Sequence, residues 1–66
     1  MNKILIGKNI KEIRLSAKLT QKQFGEKLGF SARTISDWEC ENTEPDLYTI
    51  KEICKKFNVT YEDILD

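Results

Sequence analysis

The chain has 66 residues, 39% of them hydrophobic and 33% charged, which is the composition of one small globular domain covering residues 1–66. It has no histidine and only two cysteines, so it lacks the commonest general base, and two cysteines alone cannot complete a tetrahedral zinc site. The longest apolar run, Ile4–Ile6, is far shorter than the roughly 20 residues of a membrane span or the roughly 7–15 of a signal peptide. We therefore expect a cytoplasmic binding module that is not an enzyme, with no membrane partner, metal, cofactor or small-molecule ligand.

Hydrophobic spacing predicts helices throughout the chain and no alternating strand pattern. The first helix is predicted over about residues 4–17, and its inward residues recur at helical spacing: Ile6, Ile10, Ile13 and Ala17. A second helix is predicted over residues 21–28. Thr20 and Gln23 before and within it fit a capping box, and Gly29 is a typical stop because glycine enters the left-handed region without a steric penalty.

Three further helices are predicted after Gly29. Ser31 is the N-cap of a helix of about ten residues that turns Ile35 and Trp38 inward. A fourth helix opens at Pro45 or Asp46, with a predicted inward face of Leu47, Ile50, Ile53, Cys54 and Phe57. Thr60 caps a short fifth helix over residues 61–65, so the expected fold is all-α with five helices.

The net charge of zero hides a strong asymmetry along the chain. Residues 1–36 carry eight basic and two acidic side chains, whereas residues 37–66 carry three basic and nine acidic ones. A basic half of net charge +6 is suited to face a polyanion. The alternative is that these charges are ordinary solvated faces of helices.

The segment Gln21–Asp37 indicates a helix-turn-helix motif, which spans about residues 21–40. Gly25 lies in the middle of a helix, where glycine costs about 1 kcal/mol relative to alanine, and such a cost is reasonable where two helices cross closely. Gly29 follows at the turn, and Ile35 faces back into the crossing. An ordinary corner between two helices is the alternative interpretation.

The chain from Ile6 to Leu65 resembles the lambda/434-repressor type of helix-turn-helix domain, the Cro or XRE family. The residues that carry the resemblance are Ile6-Gly7, Ile13-Arg14, Leu19-Thr20-Gln21, Leu28-Gly29-Phe30-Ser31, Ile35, Trp38-Glu39, Glu44-Pro45, Val59-Thr60 and Ile64-Leu65. The resemblance implies a compact five-helix bundle whose third helix enters the DNA major groove. It also implies a transcriptional regulator that binds a two-fold operator as a homodimer.

The resemblance further implies which residues meet double-stranded DNA. Gln21 begins the second helix and matches a residue that in the family bonds a DNA phosphate or a base edge. Lys22 is expected to act through phosphates for a separate reason, because it belongs to the basic half of the chain. The base-reading positions of the third helix correspond to Ala32, Arg33, Ser36 and Asp37. Arg33 can bond guanine through two donors. Thr34 and the backbone amides near Ser31 are placed for phosphate, at the positive end of the helix dipole. The alternative is that Arg33 is an ordinary solvated arginine on the protein surface.

One pair of residues that matches the family is expected to have a structural role, and one loop of this chain departs from the family's pattern. Arg14 and Glu39 match a pair that forms a salt bridge between the first and third helices in the family. The loop after the third helix is usually basic in the family, with a glycine at the position of Glu41. Asn42 is expected to supply the left-handed cap here and to donate to phosphate. The acids in this loop and Asp37 predict weaker, more salt-sensitive and more selective DNA binding.

The resulting hypothesis is a sequence-specific repressor acting as a homodimer. Apolar residues at the C-terminal end exceed what a short final helix buries alone, so the dimer interface is predicted at Val59, Tyr61, Ile64 and Leu65. The alternative is a protein-interaction module that keeps the fold but has little affinity for DNA.

Overall fold

The computed structural model describes residues 5–66 and contains five α-helices in that range: α1 Ile6–Ser16, α2 Gln21–Leu28, α3 Ala32–Glu39, α4 Leu47–Phe57 and α5 Tyr61–Leu65. The predicted all-α fold with five helices is confirmed. Ile4, where the first helix was predicted to begin, lies outside the described residues. Within residues 5–66, no helix combines the length and the apolar character that crossing a bilayer requires.

Four of these helices begin with a side-chain cap from the preceding residue. Thr20 and Thr60 each form a reciprocal capping box with the third residue of their helix. Ser31 accepts a hydrogen bond from the Thr34 amide at 3.2 Å, and Asp46 accepts one from the Thr49 amide at 2.8 Å. These bonds satisfy amides that have no acceptor within their own helix.

Two helices have a C-cap residue in the left-handed conformation. Gly29 closes α2 with a φ of 83°, which confirms it as the predicted stop. Asn58 closes α4 with a φ of 54°, a conformation that asparagine tolerates better than most residues.

The core lies where all five helices meet. Its buried apolar residues are Ile10, Phe24, Ile35, Trp38, Ile50, Ile53 and Ile64. Phe24 stacks on Phe57 with ring centroids 4.8 Å apart, and Phe30 meets Trp38 edge to face at 5.0 Å. Trp38 and Phe57 thus pack inward as predicted, and Phe30 and Phe24 pack against them.

The inward face predicted for α4 was wrong at its first residue. Thr49, Ile50 and Ile53 are buried, whereas Leu47 is 75% exposed. At 100° per residue, Leu47 lies roughly 110° around the helix from the centre of that buried face. Ala17, predicted on the inward face of α1, is likewise exposed, because α1 ends at Ser16 and Ala17 is its C-cap.

Candidate nucleic-acid interface

The α2–turn–α3 unit is closed by a tight approach of the turn to Gly25. A Cβ atom at Gly25 would overlap the carbonyl oxygen of Phe30 and lie 3.3 Å from Ile35. The Phe30 amide donates to the Gly25 carbonyl oxygen at 2.8 Å. The predicted reason for a mid-helix glycine, a close crossing at this point, is confirmed.

The helix α3 has one face fixed in the core and one face open. Ile35 is fully buried and Trp38 is 3% exposed, and these two side chains set the rotation of the helix. The residues predicted to read bases lie on the remaining surface: Arg33 is exposed, and Ala32, Ser36 and Asp37 are half-buried. The structure therefore brings all four to one side of α3 and away from the core.

Arg33 and Asp37 form an ion pair one turn apart on this open face. The Arg33 Nε atom lies 3.4 Å from Asp37 Oδ1, and the Arg33 side chain is 85% exposed. An exposed ion pair of this kind contributes no more than about 1 kcal/mol to the free energy of unfolding. The guanidinium is thus free to exchange Asp37 for another acceptor.

The start of α3 is arranged as a helix N-terminus open to anions. The hydroxyls of Ser31 and Thr34 lie 3.1 Å apart, and the Ser31 hydroxyl also caps the Thr34 amide. The amides of Ala32 and Arg33 belong to the first turn, where a helix offers no internal acceptor and the dipole is positive. Ser31 and Thr34 therefore shape this end through their capping bonds, beside backbone donors suited to phosphate.

A buried network joins α1, α2 and the end of α3. Arg14 donates to Glu39 through Nε at 2.6 Å and through Nη2 at 3.1 Å, and to the Leu19 carbonyl oxygen at 2.9 Å. The two side chains of this pair are only 10% and 4% exposed. The salt bridge expected between Arg14 and Glu39 is thus present, and it holds α3 against α1.

Gln21 takes part in the same network. Its Nε2 atom donates to Glu39 at 3.0 Å, so this amide group is already engaged in the free domain. Its neighbour Lys22 is exposed and lies in the first turn of α2. Of the two residues predicted to meet DNA here, Lys22 is free to approach phosphate with its side chain, while Gln21 keeps its amide oxygen and its backbone N–H.

The loop after α3 differs from the prediction. The left-handed residue is Glu41, with a φ of 63°, and not Asn42. The Asn42 amide instead continues the turn by donating to the Asp37 carbonyl oxygen at 2.9 Å, and its side chain is exposed. Asn42 can still donate to phosphate, but it is not the cap.

Glu41 caps the start of α1. Its Oε2 atom accepts a hydrogen bond from the Lys8 amide at 3.0 Å, whereas the local N-cap residue, Leu5, gives no side-chain bond. The approach is possible because Gly7 lies against the end of α3: a Cβ there would overlap the Trp38 carbonyl oxygen. This acid, one of those predicted to weaken DNA binding, is therefore bonded to a helix N-terminus, a role that no sequence pattern signals.

The predicted dimer residues do not form one exposed set. Ile64 is fully buried, because the short helix α5 turns it into the core, so its assignment to the dimer interface was wrong. Tyr61 is 49% exposed, and Val59 and Leu65 are half-buried. The sequence reasoning missed Leu47 and Tyr48, two adjacent apolar side chains that α4 leaves exposed at its first turn.

Within residues 5–66, the pKa is clearly shifted for two groups, and neither lies on the open face of α3. The hydrogen bonds from Thr49 hold the pKa of Asp46 below its ordinary value. Burial, followed by the charge of Asp63, raises the pKa of the Cys54 thiol. Cys40 is free and exposed. Among the described residues, no group of three or more potential ligands is placed to hold a metal.

Comparison with known proteins agrees with this geometry. The helix-turn-helix family model matches residues 10–64. The antitoxin PezA of Streptococcus pneumoniae is 41% identical over 61 residues, covering 92% of this chain and 39% of that protein. The transcriptional regulator ImmR of Bacillus subtilis is 33% identical over 60 residues, covering 91% of this chain and 47% of that protein. The chain thus spans less than half the length of these two relatives.

A solved structure shares the whole fold. The P22 c2 repressor protein, crystallised in complex with the synthetic operator 9T, superposes with a TM-score of 0.84 at 26% identity, covering 98% of this chain and 97% of the other. The chain therefore belongs to the lambda-repressor-like (Cro/XRE) helix-turn-helix family.

Proposed function

We propose that this domain is the operator-binding part of a repressor and that it reads the major groove with α3. The observation that carries the proposal is the open face of α3: Arg33 is exposed there while Ile35 and Trp38 fix the helix from behind. The fold shared with a repressor bound to an operator supports the same placement. The proposal assigns the domain to the cytoplasm and gives it no catalytic role.

Arg33 is the proposed reader of a base edge. Its guanidinium can form two bonds to guanine, worth about 1–3 kcal/mol of discrimination. To do so it must leave Asp37, which then accepts from a cytosine N4 or repels nearby phosphates. Asp37 therefore penalises sites at which Arg33 gains no base contact.

Contacts to the DNA phosphates are proposed to come from residues at the edges of the open face of α3. Lys22 and the first-turn amides of α3 supply positive charge toward phosphate, with the side chains of Gln21 and Asn42 as further polar contacts. Ser31 and Thr34 act beside them, while Ala32 and Ser36 lie on the base-reading side. Such contacts position the domain and make its affinity depend on salt.

A homodimer is proposed to bind a two-fold operator. One short helix reads only a few base pairs, and two copies about 34 Å apart read half-sites one turn apart. Exposed apolar side chains are available for the contact at Leu47, Tyr48 and Tyr61, with Val59 and Leu65 partly accessible beside Tyr61 in sequence. Sedimentation showing monomers alone, together with one protein bound per operator, would remove this part of the proposal.

The test is selection of bound duplexes from a random library, followed by titrations at several salt concentrations. Arg33→Ala is expected to cost about 1–3 kcal/mol on the selected site and to relax the preference at one base position. Lys22→Gln should weaken all sequences alike and lower the salt slope by about one unit. Lys51→Ala is the matched control, because Lys51 is an exposed cation on α4. If Arg33→Ala changes neither affinity nor preference, α3 does not enter the major groove.

A protein-interaction module with little DNA affinity is the second candidate. The acids that follow α3 favour it, as does the likeness to a protein named as an antitoxin. A gel shift with random duplex at low salt separates the two candidates. An absence of binding at micromolar protein would support the second one.

A further inference from the structure

A groove on the side of the domain formed by α1 and the C-terminal segment has no role in the proposed DNA contact. It has a volume of about 370 Å³ and is lined by residues of α1, the end of α4 and the start of α5. No residue of α2 or α3 lines it. A molecule bound in this groove would therefore leave the open face of α3 unobstructed.

The floor of the groove is apolar and only partly covered. Ile13, Phe57 and Val59 line it, and all three are half-buried against the core. Covering such surface is worth about 25 cal/mol for each Å² removed from water. The floor can thus receive one or two apolar side chains.

The rim of the groove is acidic. Glu12 of α1 and Asp63 of α5 both line it and are exposed, and none of the lining residues is basic. Asp63 accepts a bond from the Thr60 amide through Oδ2, which leaves its other oxygen available. The helix α5 adds Glu62 and no basic residue. The residues that line the groove therefore carry two negative charges and no positive one.

We propose that this groove docks a basic peptide segment of a partner protein, one that inserts an apolar side chain between flanking lysines or arginines. Charge complementarity with Glu12 and Asp63 selects the flanking residues, and the apolar floor selects the anchor. This inference goes beyond the proposed function, because it gives the domain a second surface that is compatible with bound DNA.

The test uses two fluorescein-labelled hexapeptides, Lys-Lys-Leu-Phe-Lys-Lys and its charge-matched control Lys-Lys-Ser-Ser-Lys-Lys. The apolar peptide is expected to bind at least about tenfold more tightly, since partial burial of two apolar side chains exceeds the 1.4 kcal/mol of a tenfold change. On the ¹⁵N-labelled domain, the amides of Ser16, Ala17 and Val59 should shift while those of α3 stay in place. Equal affinity for both peptides, or shifts spread over the surface, would overturn the proposal.

Two variants locate the binding. Ser16→Lys adds an opposing charge to the groove at an exposed position at the end of α1, where a cation suits the helix dipole, so the domain should stay folded. It should reduce binding of the apolar peptide to the level of the control peptide. Glu12→Gln should weaken binding about two- to fivefold, as expected for an exposed charge pair, while Glu44→Gln, an exposed acid outside the groove, should leave it unchanged.

A second copy of the chain is the competing occupant. The groove shares only Val59 with the proposed dimer surface, because Tyr61 and Leu65 do not line it. If Ser16→Lys abolishes self-association in sedimentation, the groove belongs to the homodimer and the proposal is overturned. Operator binding by Ser16→Lys is measured in parallel, so failure of the groove and failure of the DNA proposal are separable.

Discussion

Helix α1 and the other four helices are anchored in different ways. Helices α2, α3, α4 and α5 each begin with a cap from the residue just before them, whereas α1 is held by residues of α3 and the loop that follows it. Three contacts along α1 make this link: Gly7 with Trp38, Lys8 with Glu41, and Arg14 with Glu39. Local caps define where a helix starts, and the distant contacts define where α1 lies relative to α3.

The largest effect is expected from breaking the buried end of this link. Glu39→Ala leaves the guanidinium of Arg14 buried without its carboxylate and removes the partner of Gln21. We expect a loss of about 3–5 kcal/mol in the free energy of unfolding, measured by urea denaturation. A loss below about 1 kcal/mol would mean that the pair contributes no more than an exposed one.

A smaller but still large effect is expected at the close approach of α1 to α3. Gly7→Ala places a methyl group against the Trp38 carbonyl oxygen, and that oxygen belongs to backbone, which cannot rotate away. The expected destabilisation is about 1–3 kcal/mol, the usual range for overpacking. Gly29→Ala is an informative comparison. No atom lies within 4 Å of its added Cβ, so any cost there arises from the left-handed backbone alone.

Two substitutions at Glu41 measure separately the effect of its capping bond and the effect of its left-handed backbone. Glu41→Ala loses the bond to Lys8 and keeps the left-handed strain, whereas Glu41→Gly loses the bond and relieves the strain. The alanine variant should therefore be less stable than the glycine variant by about 1 kcal/mol in thermal or urea unfolding. Equal stability of the two variants would show that the conformation at position 41 carries no strain. Thr20→Ala, which removes a local cap, should cost about 1 kcal/mol and serves as the reference.

The smallest effect concerns a local cap that titrates. Because the folded-state pKa of Asp46 is lowered, its contribution to stability is present above the unfolded-state pKa and disappears as the pH falls through the folded value, that is, below about pH 4. Asp46→Asn keeps an N-cap that cannot ionise, so it should flatten this acid limb of the stability profile. An unchanged profile between pH 5 and pH 2 would show that Asp46 has no part in it.

The sequence predicted what depends on near neighbours and missed what depends on the assembled fold. Thr20, Ser31 and Thr60 were recognised as caps because each bonds a residue three positions away. The bond of Glu41 to Lys8 spans 33 positions, and no local pattern signals it. The partners Arg14 and Glu39, 25 positions apart, were predicted only through the family resemblance.

The errors on exposed and buried apolar residues have the same origin. Helical spacing placed Leu47 with Ile50 and Ile53, but only the neighbouring helices decide where the centre of the buried face falls. Ile64 was counted as surplus because the depth of the core beneath α5 is not visible in five residues. Arg33 was placed correctly on the outer face of α3 because Ile35 and Trp38 fix the opposite face.

The capping of α1 by Glu41 has a consequence for redesign. A natural way to raise DNA affinity would be to graft the basic, glycine-containing loop of other family members in place of residues 40–44. Such a graft would remove the acceptor of the Lys8 amide. The gain in DNA affinity would therefore be accompanied by a less stable first turn of α1. A compensating change at position 5, from leucine to serine or aspartate, would supply a local cap for α1. The loop of residues 40–44 could then be replaced without loss of the cap.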